Sequence, residues 1–263
     1  LYLKCFIRIF HHKLRRCFGL KYPAEKTSPH PELIHLIDNY ADVFDEPPGL
    51  PPVRGIEHQI TLKEASLPKH QHPYRVSHSQ KNEIEKIVQE LLSSGLIQPS
   101  NSPFASPVLL VRKKDSTWRM CVDYMYLNNL TIKHDFPIPI IDELLDELNG
   151  AQYFSKIDLR SGYFQILMRL EDRHLTAFNT HHGQFEFLVM PFGLCNAPAT
   201  FQSLMNQVFQ QQLRKTVLVF FDDILVYRKS WCEHLQHLEE VLQVLRNNKL
   251  YAKKGKCQFG QEQ

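Results

Sequence analysis

Between Ser77 and Gly95 the apolar residues Ile84, Ile87, Val88, Leu91 and Leu92 recur on one stripe of a 3.6-residue period, and Gly95 supplies a stop, so an amphipathic helix is expected there. The pattern then changes. PVLLVRK (Pro107 to Lys113), a polar turn around Lys114 to Thr117 and WRMCV (Trp118 to Val122) predict a β-hairpin. A short helix is expected through Ile141, Leu144, Leu145 and Leu148, ending at Gly150, followed by a strand ending in Asp158 and by hairpins through 166–189. Pro198 opens a helix with Phe201, Leu204, Met205, Val208 and Phe209 on one face. A further hairpin spans Val217 to Tyr227, and Ser230 with Glu233 reads as the capping box of a last helix to about Asn248. Helices alternating with hairpins indicate an α+β fold with a largely antiparallel sheet. Residues 25–75, with PPGLPP (Pro47 to Pro52) and scattered charges, read as a linker or N-terminal extension with little packed structure.

Composition narrows the class without changing that outline. A chain of 263 residues, 43% hydrophobic and 22% charged, is ordinary globular material, which excludes collagen, wholesale disorder and a disulfide miniprotein. The formal charge of +3 comes from residues 1–24, a basic tail of uncertain origin with six basic residues and no acid; the remainder carries 25 basic against 28 acidic residues. Any nucleic-acid contact outside the tail must therefore use local basicity. The tail lacks the serines of a presequence, and targeting is not expected of it. The six cysteines form no CxxC pair, so neither a zinc ribbon nor a disulfide framework is indicated and an intracellular setting fits. No apolar run approaches the roughly 18 residues of a spanning helix, and no membrane partner is expected.

The candidate chemistry lies in TVLVFFDDILVY (Thr216 to Tyr227), where Asp222 and Asp223 interrupt an apolar, β-branched run. Ionised carboxylates near a core cost several kcal/mol each unless a cation compensates. No Arg or Lys occurs between Lys215 and Arg228, which makes a divalent metal the economical partner, although the segment alone does not separate a metal site from a hairpin turn. Asp158 ends another apolar strand, in AQYFSKIDLRSGYFQI (Ala151 to Ile166); taken alone it also suits a helix N-cap or a partner for Arg160. Strand-end acids converging across a sheet make a hard oxygen site for Mg²⁺. Other motifs fade: His234 and His237, three apart on a predicted helix, lack further zinc ligands and read as surface residues; Gly255-Lys256 lacks the rest of a P-loop; and no Asp-Ser/Thr-Gly occurs.

Six blocks in order then carry a resemblance: SPFASPVLLVRKKD, WRMCVDY, FSKIDLRSGY, EFLVMPFGLCNAPATFQ, VFFDDILVY and the Lys-rich segment ending KCQF. From roughly His58 to Gly260 the chain resembles the reverse transcriptase of gypsy-type LTR retrotransposons. The resemblance implies a right-hand polymerase: fingers at about 76–133 and 166–195, a palm with an antiparallel sheet at about 134–165 and 196–263, and a stop before the primer grip and thumb. It implies RNA-directed DNA synthesis by two-metal nucleotidyl transfer from a deoxynucleoside triphosphate to a primer 3′-OH, with two Mg²⁺ ions, Mn²⁺ being an alternative. Asp158, Asp222 and Asp223 match the carboxylate triad, and the Leu159 carbonyl would add a metal ligand. Lys113 and Arg119 match the fingers residues that hold the triphosphate; a solvated basic turn is their other reading. Tyr163 matches the aromatic gate beneath the sugar, or is a core tyrosine. Phe192 and Gly193 match the dipeptide beside nucleotide and template, or form a turn before a helix. Lys256 matches the lysine that protonates pyrophosphate, or belongs to the acid-free basic stretch Val241 to Gln261.

The implied partners are an RNA or DNA template with its primer, and the RNase H and integrase segments of a Pol polyprotein, in a cytoplasmic virus-like particle or the nucleus. Oligomeric state is not readable. Departures from the family pattern point the other way: Met125, Phe164 and Asn179 replace basic or polar residues, and Leu167 and Leu175 replace charged ones. They suggest fingers stripped of template or primer contacts, and the alternative function is a catalytically silent fragment of a decaying element that at most binds nucleic acid nonspecifically.

Overall fold

The computed structural model describes residues 30–113, 116–134, 146–220 and 223–262. They divide into two compact units: the described parts of Leu1–Glu46, Pro137–Arg160 and Met205–Gln263 form the first, and those of Pro47–Phe136 and Ser161–Leu204 the second.

In the second unit, helix α2 (His78–Ser93) starts at Ser77, whose side chain accepts from the Gln80 backbone while the Gln80 side chain accepts from the Ser77 backbone. It ends where predicted. Gly95 at φ +66° lets its own N–H reach Leu92 and that of Leu96 reach Leu91, a Schellman closure. Ile84 and Val88 are buried against Ile97, Val108, Phe178, Phe187 and Val189, with Leu91 and Leu92 packed alongside. Burial of each such side chain stabilises by about 1.5–3 kcal/mol. The sheet beneath runs β1-β6-β5-β2-β3, from β1 (Ile97–Pro99), β2 (Ser106–Arg112), β3 (Trp118–Val122), β5 (Phe178–Thr180) and β6 (Gly183–Phe187). The β2–β5 pair is parallel; the others are antiparallel. A short helix α3 (Met125–Leu130) follows β3.

The first unit holds the four-stranded antiparallel sheet β7-β8-β4-β9, from β4 (Tyr153–Asp158), β7 (Val217–Phe220), β8 (Asp223–Arg228) and β9 (Gln258–Glu262). Helix α5 (Trp231–Asn247) packs on it through Leu238, Val241, Leu242 and Leu245, and α1 (Pro31–Asn39) packs on α5. Helix α4 (Ala197–Val208), most of which belongs to the second unit, carries Pro198 in its first turn and buries Phe201, Leu204 and Met205. Among the described residues, no helix is long and apolar enough to cross a membrane.

Four expectations are corrected. Residues 25–75 are not merely a linker: Pro31 opens α1, whose Leu33, Leu36 and Ile37 are buried, and Val43 accepts from the Ala252 backbone. Farther on, His58 and Leu62 form single bridges to Met168 and Thr131, which leave no periodic signature. Residues 166–189 contain one hairpin, β5–β6, preceded by 3₁₀ turns at Gly162–Gln165 and Leu170–Thr176. Ser230 precedes α5 but makes no side-chain cap. His234 is fully buried, with Nε2 2.8 Å from Ser155 Oγ, because it falls on the inward stripe with Leu238 and Val241. The helix expected through 141–148 lies largely outside the described residues.

Candidate active site

Strands β4 and β8 run antiparallel with Ile157 opposite Ile224 and Asp158 opposite Asp223. Residues directly opposed in such a pair have Cα atoms about 4.5–5.5 Å apart, so the two carboxylates share one neighbourhood. Asp222 lies outside the described residues. The apolar strand interiors bury Ile157 and Ile224 completely and lift the acids to the end of the sheet.

The compensation for these charges comes from a place the sequence argument overlooked. Lys156 Nζ is 3.0 Å from Asp223 Oδ1, and Lys256 Nζ is 3.5 Å from Asp158 Oδ1. Lys156 lies two residues before Asp158, and the period-2 alternation of a strand puts both on one face beside Asp223. A search confined to the Lys215–Arg228 segment could not find a partner from the next strand; the Lys-x-Asp spacing is the signal that was available. Arg160 pairs instead with Glu46 at 2.8 Å, not with Asp158.

Burial raises the Asp158 carboxyl above its ordinary value, Lys256 opposes that shift and Asp223 adds to it. The backbone around Asp158 is pinned by the Lys253 N–H, which donates to its carbonyl at 2.9 Å, and by the Leu159–Ala252 bridge. Cys257 Sγ sits 3.5 Å from the Asp158 nitrogen, and burial pushes its thiol up to about 11, so it is an inert neighbour. As a donor set, two partly buried carboxylates in register fit a hard divalent ion of the Mg²⁺ type.

The remaining expected site residues lie in the second unit, apart from Leu159 and Lys256. Tyr163 is buried in the 3₁₀ turn after Ser161, which takes a left-handed φ of 46°. Its ring stacks on Phe192 at 4.9 Å and tilts against Phe201 at 5.4 Å, while Phe192 remains 45% exposed. Gly193, at φ +103°, has its carbonyl held by Asn128 Nδ2 at 2.8 Å, and Asn128 Oδ1 accepts from the Cys195 backbone. That φ strains any L side chain, and an added Cβ would also touch Tyr124 and the Val122 carbonyl at 3.4 Å, so the position favours glycine on structural grounds as well. In the β2–β3 hairpin, Val111 opposes Arg119 and the Lys113 N–H reaches Thr117, so alternation places exposed Lys113 and Arg119 on one face. Of the departures from the family pattern, Leu167 and Leu175 are buried, and Asn179 donates to the Gln71 carbonyl. Those three work within the fold; Met125 is 72% exposed.

Comparison with known proteins then fixes the class. Residues 111–263 match the profile of the family described as "Reverse transcriptase (RNA-dependent DNA polymerase)". The chain is 41% identical over 209 residues to the Retrovirus-related Pol polyprotein from transposon 297 of Drosophila melanogaster, covering 78% of this chain and 20% of that protein. It is 37% identical over 238 residues to the Transposon Tf2-3 polyprotein of Schizosaccharomyces pombe, covering 89% and 18% respectively. The chain thus spans about a fifth of the length of these relatives. Among solved structures it resembles the prototype foamy virus protease-reverse transcriptase, with a TM-score of 0.77 and 25% identity over 97% of this chain and 33% of that one. The same fold recurs in the foamy viral enzyme solved with an RNA/DNA hybrid, at TM-score 0.78 and 23% identity over 96% and 33%. The fold is that of the fingers and palm of a right-hand polymerase, with the antiparallel four-stranded sheet as the palm sheet. The chain belongs to the reverse transcriptase (RNA-dependent DNA polymerase) family.

Proposed function

We propose that this chain supplies the fingers and palm of an RNA-directed DNA polymerase that extends a primer on an RNA or DNA template, as part of retrotransposon replication. The observation that carries the reading is the register of Asp158 against Asp223 at the end of the palm sheet. Asp158, Asp223 and Asp222, with the Leu159 carbonyl, would hold two Mg²⁺ or Mn²⁺ ions. Bound there, such ions supply the positive charge that stabilises the attacking and leaving oxygens of phosphoryl transfer. The primer 3′-OH, oriented beside the carboxylates, gives its proton to one of them or to water as its oxygen bonds to the α-phosphorus of the deoxynucleoside triphosphate, and the bond to the pyrophosphate breaks. Lys113 and Arg119, on one face of their hairpin, bind the triphosphate as an ammonium and a guanidinium fork. The Tyr163 ring, braced by Phe192, lies beneath the sugar and excludes a 2′-OH, while Gly193 lets the backbone approach the nucleotide. Lys256, beside Asp158, delivers a proton to the departing pyrophosphate.

The test is primer extension by the full chain with Mg²⁺, run beside Asp223→Asn and Asp158→Asn. Loss of incorporation by at least about 100-fold in both variants, some 2.7 kcal/mol of transition-state stabilisation, is the expected result. Salt-sensitive template binding should survive in both, because the phosphate contacts lie elsewhere. A second reading, a silent nucleic-acid binder, is favoured by the lysine partners, which neutralise the acids without any ion. Template binding without incorporation by the unsubstituted chain would establish that second reading and reject the first.

A further inference from the structure

At the tip of the fingers hairpin β5–β6, His181 and His182 occupy the two-residue turn between the paired Thr180 and Gly183. Both imidazoles converge on Glu85, which projects from α2: His181 Nε2 lies 2.7 Å and His182 Nε2 2.6 Å from the same oxygen, Oε1. The three ligand-capable atoms all lie within 4.8 Å of one another, and the two rings are 4.6 Å apart. This is the one such group of three or more His, Cys, Asp or Glu side chains among the described residues. It lies within the second unit and plays no part in the polymerase reading.

The geometry is unusual for a pair of surface histidines. A carboxylate oxygen only accepts, so each Nε2 must bring a proton to a single atom, and two adjacent rings are held together at one point. Those hydrogen bonds, His181 first, hold the Glu85 carboxyl below its ordinary value and keep it ionised. Around a tetrahedral zinc, with metal–ligand distances of about 2.0–2.2 Å, donor atoms stand roughly 3.3 Å apart. The two nitrogen–oxygen separations of 2.7 and 2.6 Å need to grow by less than about 1 Å to admit an ion, with each imidazole placing its remaining proton on Nδ1. Two imidazoles and one carboxylate suit a borderline divalent ion, whereas an oxygen-only set suits Mg²⁺.

We propose that Glu85, His181 and His182 bind one divalent transition-metal ion of the zinc class, with water in the open position, clipping the β5–β6 turn to helix α2. The ion fixes the fingers hairpin from the outside, where the core beneath α2 does not reach. Because two of the three ligands are imidazoles, which Mg²⁺ takes poorly, excess Mg²⁺ does not displace it.

The experiment titrates the full chain with Zn²⁺ in millimolar Mg²⁺ against a chromophoric chelator, and repeats it for Glu85→Gln, His181→Asn, His182→Asn and the triple variant. With 14 histidines in the chain, total zinc is not the readout. The expected result is that each variant loses one equivalent of tight binding, that the Zn²⁺-dependent rise in Tm seen in the parent disappears, and that circular dichroism without metal is unchanged. Substitution by Co²⁺ should give visible d–d bands in the parent that vanish in the triple variant. Equal stoichiometry, equal thermal response or identical Co²⁺ spectra in parent and triple variant would overturn the site. Primer-extension activity does not enter the readout, so failure of the polymerase reading leaves this result intact.

Discussion

Replacing Lys156 with methionine keeps the reach of the side chain and deletes the charge that faces Asp223 at 3.0 Å. At that separation two unit charges attract by about 5–6 kcal/mol at an effective dielectric of about 20, before desolvation is subtracted. The side chains are 19% and 14% exposed. That is too buried for the roughly 0–1 kcal/mol of a surface pair and too open for the roughly 3–5 kcal/mol lost when a sealed pair is broken. A destabilisation of about 2 kcal/mol is expected for Lys156→Met in the absence of divalent ions. The same change has a second effect of opposite sign: the ammonium occupies an oxygen that a divalent ion needs, so the variant should bind Mg²⁺ about tenfold more tightly, equivalent to about 1.4 kcal/mol. Urea denaturation of the full chain over a Mg²⁺ series, with Asp223→Asn and the double variant completing a cycle, measures both effects. A coupling energy below about 0.5 kcal/mol together with parallel Mg²⁺ responses would refute the reasoning, because the pair would then carry neither stability nor competition.

The other expectations rest on single observations. Burial depresses His58 and His234 from 6.5 to about 4, so the unfolded chain takes up protons that the native chain refuses. Stability present above 6.5 is lost as pH falls toward 4, at up to about 1.4 kcal/mol per pH unit for each histidine, and His234→Gln should remove one of these contributions from the urea-measured slope. Asp158 works in the opposite sense: with its folded value raised above 3.8, its stability is present below 3.8 and lost as pH rises through the raised value, so Asp158→Asn should be more stable than the parent at pH 7 and lose that advantage in acid. Gly193→Ala, at φ +103° with the new methyl 3.4 Å from Tyr124 and Val122, should cost about 1–2 kcal/mol by thermal or urea denaturation.

Helix α2 was legible in full because each local signal agreed: the apolar stripe, the start at Ser77 and the stop at Gly95 all describe one element. The hairpin at 217–227 and the strand ending in Asp158 were legible for the same reason, since β-branched runs bounded by acids have few alternatives. Periodicity failed where structure is made of single bridges and short turns, as at His58, Leu62 and Gly162–Gln165. It also failed at α1, whose Leu33, Leu36 and Ile37 do carry the helical spacing but are surrounded by prolines and charges that suggested a linker. Of the candidate site residues, Asp158 and Asp223 are singled out by their own strands, whereas Lys156 is not, because its place beside Asp223 depends on register with β8, and register is a property of two strands. The Glu85–His181–His182 group was missed for a related reason: 96 residues separate Glu85 from His181, and only the docking of α2 on the sheet joins them.

The lysine partners also bear on how folding and ion binding relate in the palm. If the acids at the end of β4 and β8 were held without cations, their repulsion and desolvation would set against the sheet, and an ion would be needed to complete the fold. Lys156 and Lys256 remove that need: one approaches from the same face of β4, the other from the turn that leads into β9, and each takes one carboxylate. The palm is therefore expected to fold without divalent ions, and chelation by EDTA should leave its urea-measured unfolding free energy within about 0.5 kcal/mol of the untreated value, unlike a structural metal site whose removal unfolds the domain. An ion entering this site must displace ammonium groups rather than fill a preformed cage. That makes binding weak by itself, and stronger when a ligand adds oxygens of its own, as the proposed triphosphate would. A large loss of palm stability on chelation would show that the lysines do not compensate the acids and that an ion does.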